Sequence, residues 1–130
     1  MLKMSFKEIL DSVILKDVLD NPDCLINIDV NDIKELFQQD EDVLAFDVTV
    51  NSIEEQRMEL LMKQIKEDTK SNLDYSRVLV YIFFPVCHPL LMSELKPFSE
   101  WVESIPVEII MKWGMATQST QELRAIVLLQ

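Results

Sequence analysis

The sequence predicts an α+β domain, a mixed sheet with helices packed on it. Three observations carry that expectation. Residues 78–84 are apolar at every position, the mark of a central strand covered on both faces. Residues 43–50 are rich in β-branched and aromatic side chains, and two more strand-like runs lie at 107–113 and 123–129. Between these runs stand segments with apolar residues at helical spacing and capping signals at their starts. A chain of 130 residues suits one compact domain, long enough to bury a core without a staple.

The elements follow in order. Ser5 and Glu8 have capping-box spacing, and Phe6, Ile9, Leu10, Val13, Ile14 and Val18 then recur on one helical face. Asn21 before Pro22 ends that helix, because the residue preceding proline avoids the helical region. Residues 1–22 are therefore expected as a leading helix and 23–130 as a single domain. A short loop, 23–29, leads to a second helix at about 31–39. After the strand at 43–50, Ser52 and Glu55 form another capping box. They open a helix over 53–70 with Met58, Leu61, Met62 and Ile65 on one face. Glu54 and Glu55 at its start and Lys66 and Lys70 at its end suit the helix dipole.

A polar turn at 70–76 precedes the central strand 78–84. The helix 93–104 buries Leu95, Phe98, Trp101 and Val102, with Pro97 tolerable only in its first turn. Strands 107–113 and 123–129, joined by the polar loop 114–121, close the chain. The order is helix, loop, helix, then β-α-β-α-β-β, with the two longer helices expected to flank the central strand.

Composition excludes several functions. There are 12 Lys+Arg against 23 Asp+Glu, a net charge of −11 that repels nucleic acid and anionic membranes. One glycine cannot build the glycine-rich cradles that approach phosphate closely, so no nucleotide or other cofactor is expected on the isolated chain. The longest apolar run, 78–84, is far shorter than the ~20 residues of a membrane helix. His88 is the sole histidine, and Cys87–His88 between Pro85 and Pro89 reads as a rigid loop, not a ligand pair. The turn Asp40-Glu41-Asp42 lacks the spaced oxygens and the glycine of a calcium loop. No metal site is expected. Cys24 and Cys87 share no Cys-x-x-Cys pattern and follow no secretory signal, which points to a reduced cytoplasmic location with both thiols buried. Met58, Met62, Met92, Met111 and Met115 read as core filler. Nothing resembles a nucleophile–base pair, which argues against a stand-alone enzyme.

The stretch Leu25-Ile26-Asn27-Ile28-Asp29-Val30-Asn31-Asp32-Ile33-Lys34 resembles the synergy loop of the tubulin/FtsZ family. Residues 14–22 fit the end of that family's long central helix. Residues 57–62 sit where it has an arginine-led helix, 78–82 are similar to its central strand, and 122–127 are similar to its closing strand. The resemblance covers about 13–129 and is confined to the family's C-terminal half. It implies a β-α-β-α-β-β domain with a four-stranded mixed sheet, its last strand antiparallel. The glycine-rich GTP-binding half has no counterpart here, and Pro85-Val86-Cys87-His88 replaces the glycines after the central strand.

By the same resemblance, Asn27, Asp29 and Asp32 are candidates to enter a neighbouring subunit's nucleotide pocket, the two acids orienting water. The local sequence offers another role, since Asp29 and Asp32 both precede a short helix and Asp32 and Glu35 have capping-box spacing. Two functions follow. The first is an interaction module that docks on, or caps, a filament of an FtsZ-type GTPase through this loop. The second is a homo-oligomeric domain, binding a small ligand or a protein, that shares only the fold.

Overall fold

A computed structural model describes residues 2–13, 15–16, 24–26, 28–51, 53, 56–70 and 75–130; of residues 2, 24–26 and 70 it describes the backbone alone. The strands are β1 (Leu2–Met4), β2 (Cys24–Ile26), β3 (Val43–Asn51), β4 (Arg77–Pro85), β5 (Ile110–Gln118) and β6 (Glu122–Leu129). The helices are α1 (Phe6–Leu10), α2 (Val30–Leu36), α3 (Arg57–Lys70) and α4 (Lys96–Ser104), the last entered through a 3-10 turn at Met92–Leu95. The strands form one sheet in the order β1-β3-β6-β4-β5-β2. Its centre is the four expected strands, with β4 parallel to β5 and β6 antiparallel to both β3 and β4. Two three-residue strands extend it at the edges, β1 on β3 and β2 on β5.

Strand β4 is central because it has no polar residue to offer solvent between Val78 and Phe84, and all seven of those residues are buried. Val80 and Ile82 pack on one face with Met58, Leu61, Met62, Ile65, Phe98 and Trp101. Leu79, Tyr81 and Phe83 pack on the other with Phe6, Ile9, Leu15, Ile33, Leu36 and Phe37. Helices α3 and α4 therefore lie on the same face and do not flank the strand from opposite sides. The reason is handedness. The β3-α3-β4 and β4-α4-β5 crossovers move along the sheet in one direction, and a right-handed connection puts both helices on one side. The second face is covered by α1, Leu15 and α2.

Other departures have local causes. The expected leading helix breaks after Leu10. Ser12 donates to the carbonyl of Ile9 at 2.7 Å and accepts the amide of Leu15 at 3.3 Å, so it ends one turn and caps the next. The break rotates the buried face: Val13 is exposed and Leu15 is buried. Ile14, Val18, Asn21, Pro22 and the boundary at 22/23 lie outside the described residues, as do Ser52, Glu54 and Glu55. Strand β5 runs later than expected, because 115–118 pair in register with 82–85 of β4. Residues expected as a polar loop are recruited by that ladder, and Val107 stays exposed. Met92, expected in the core, is also exposed on the 3-10 turn. Among the described residues no helix is long and apolar enough to cross a membrane.

Candidate functional site

The candidate site is the start of α2. Asp29 is the N-cap: its Oδ1 accepts the amide of Asp32 at 2.9 Å. Asp32 reciprocates, its Oδ2 accepting the amide of Asp29 at 3.0 Å, so the capping box is Asp29–Asp32, one turn earlier than the expected Asp32–Glu35. Short side chains with an oxygen at these two positions close both bonds and satisfy two of the helix's free amides. Ile28 before the cap and Ile33 after it are buried, which fixes the turn against the sheet.

The two acids then differ. Lys112 reaches across from β5 and places Nζ 3.1 Å from Asp32 Oδ1. The Asp29 amide, followed by Lys112, holds the Asp32 carboxyl below its ordinary range. Asp29 meets no cation among the described residues, and its side chain is exposed. So the structure brings Asp29 and Asp32 together as caps and leaves Asp29 facing solvent as well; Asn27 lies outside the described residues. Sequence alone does not point to Lys112, for it sits 80 residues away on a strand with no local signal linking it to the loop.

A second polar cluster has no sequence signal either. Arg57, only 1% exposed, forks onto Glu94 with Nε–Oε2 at 2.7 Å and a second nitrogen on Oε1 at 2.9 Å. The same guanidinium donates to the carbonyls of His88 and Pro89, each at 2.9 Å. Glu94 Oε1 also accepts the amide of Leu91 at 3.0 Å. The Arg57 hydrogen bonds hold the Glu94 carboxyl below its ordinary value. This arrangement ties the segment after β4 to the start of α3, and it is structural: each of the three guanidinium nitrogens donates to the chain itself. Cys87 stands exposed on that segment, which corrects the expectation of a buried thiol. Among the described residues no group of three histidines, cysteines or acids is placed to hold a metal ion.

No family model matches the sequence, and no curated protein matches it. Solved structures do. An empty dimer of FtsZ from M. jannaschii superposes with a TM-score of 0.63 at 18% identity, over 88% of this chain and 34% of that one. A tryptophan-to-tyrosine mutant of the same FtsZ gives 0.63 at 17% identity, over 95% of this chain and 40% of that one. The fold is that of the FtsZ C-terminal domain. At such identities the likeness to FtsZ is one of fold. The chain spans about a third to two-fifths of the FtsZ chains it matches, and the rest of FtsZ has no counterpart within these 130 residues.

Proposed function

We propose that this chain is a protein-interaction module with the FtsZ C-terminal fold, docking on an FtsZ-type GTPase through the start of α2. The observation that carries the reading is the asymmetry of the two acids. Asp32 is engaged by the cap and by Lys112, whereas Asp29 keeps a carboxylate turned to solvent on a backbone that the capping box holds still. A fixed, uncompensated anion suits a partner pocket lined with donors. A module that offers only this face, with no nucleotide of its own, would end a head-to-tail filament where it docks. On this reading Asn27 takes part in the contact with the two acids, the chain works in the cytoplasm, and it has no GTPase activity alone.

The test uses Asp29→Asn, because asparagine caps as well as aspartate but carries no charge. With a GTP-loaded FtsZ as partner, the substitution should weaken docking about tenfold while the melting temperature stays within about 2 °C. If the parent chain does not bind, or if the variant binds as the parent does, the proposal fails. Calorimetric titration of GTP into the isolated chain should give no heat of binding; a micromolar affinity would overturn the reading that it lacks a nucleotide site.

A further inference from the structure

Among the described residues, the outer edge of the sheet at β3 is only half covered. Gln130 and Arg77 exchange both backbone hydrogen bonds, at 3.0 and 3.3 Å, which sets the alternation along β6. Carried through the continuous β6–β3 register, that alternation turns the amides and carbonyls of Leu44, Phe46, Val48 and Val50 toward β6. Those of Val43, Ala45, Asp47, Thr49 and Asn51 turn outward. Strand β1 takes up only the first two, pairing Met4 with Val43 and Leu2 with Ala45. Among the described residues no strand lies beyond Asp47, Thr49 and Asn51, and all three are exposed.

Natural edge strands are guarded by lysines, prolines, bulges or bare charges. This stretch has none of the first three. Its one charge, Asp47, is neutralised inside its own chain by Arg124, with bonds of 2.9 and 2.8 Å. The residues of this stretch leave the edge unguarded.

We infer that this edge pairs with a second copy of itself, joining two sheets about a two-fold axis at Thr49. An antiparallel match centred there sets Thr49 opposite Thr49 and Asp47 opposite Asn51. Each outward amide and carbonyl of these three residues then gains a partner. Val48 faces Val50 on the side of α3, where apolar neighbours suit the closer non-bonded pairs. No like charges meet. Centring on Asp47 instead would set two carboxylates face to face. The match also fits what surrounds it: β3 ends at Asn51, opposite the partner's Asp47, so the second strand leaves the edge before β1 begins opposite Ala45. The association leaves the start of α2 uncovered, so it is independent of docking there.

The experiment is sedimentation of the full chain across concentration and salt. The parent should associate to a dimer at high micromolar concentration, more strongly at 0.5 M than at 0.05 M salt, since a charge of −11 per chain repels until screened. Thr49→Lys places two ammonium groups across the axis and should weaken the dimer about tenfold or more, with an unchanged circular dichroism spectrum. Thr49→Glu should do the same, and an equimolar mixture of the two should recover a one-to-one dimer, because position 49 faces itself. A parent that stays monomeric at high salt overturns the proposal. So does a dimer indifferent to either charge, or a mixture that fails to recover, as it would if an upstream extension or a foreign peptide were the occupant.

Discussion

Arg57 carries the largest single-residue effect expected here. Removing one partner of a buried pair leaves the other charge uncompensated, and here also frees the carbonyls of His88 and Pro89. Arg57→Met should cost about 3–5 kcal/mol, read as a lower urea midpoint at unchanged slope. Adding Glu94→Leu should recover part of that loss, since Glu94 would no longer sit unpaired. The same pair sets a pH dependence. Glu94 has a folded value below its ordinary 4.5, so its contribution is complete above that pH and is lost as pH falls through the lower folded value. Asp32, lowered from 3.8, adds a smaller loss of the same sign in the same acid range, because solvent screens it. Acid unfolding followed by circular dichroism should therefore begin below about pH 4.5, and Glu94→Gln should flatten the slope there. A slope unchanged in that variant would assign the acid sensitivity to other carboxylates.

At the scale of elements, β4 was legible because an unbroken apolar run bounded by polar turns suits little besides a strand covered on both faces. Helices α3 and α4 were legible because their apolar spacing survives packing. Strand β5 was not. Its later half reads as polar loop, and only its ladders to β4 and β2 make it a strand. The lone glycine shows the same limit. Gly114 lies in β5 opposite Tyr81, with an ordinary negative φ, so it supplies room and not backbone freedom. Tyr81 and Phe83, ring centroids 5.1 Å apart, occupy the side of the sheet that its side chain would enter. Gly114→Leu should overpack that layer and cost about 1–3 kcal/mol in equilibrium unfolding. The candidate site divides in the same way. That Asp29 and Asp32 cap a short helix was readable from local sequence, but the box was read at Asp32 and Glu35, one turn late, and Lys112 and the Arg57–Glu94 clamp join residues brought together only by the finished fold.

Over the whole molecule, the two cores share β4 and β6, which send alternate side chains to opposite faces. Neither face can open without exposing the strands that support the other. The two tryptophans, Trp101 and Trp113, both lie against Phe98 and report on one face only, while far-ultraviolet circular dichroism reports on every element. The two probes should give one coincident urea transition, and separate midpoints would show that the α1–α2 layer melts independently. The position of β6 has a further consequence, in time and not in space. The strand that joins β3 to β4 is the last of the described elements to be made, and it pairs Asn51 with Glu122 and Leu44 with Leu129. On the ribosome, β3, β4 and their helices emerge with the slot between them empty. They must wait, partly unpaired and open to chaperones, until residue 129 clears the exit tunnel. Folding of this domain is then timed by the emergence of β6, and the long-range closure by that strand is the step that commits it.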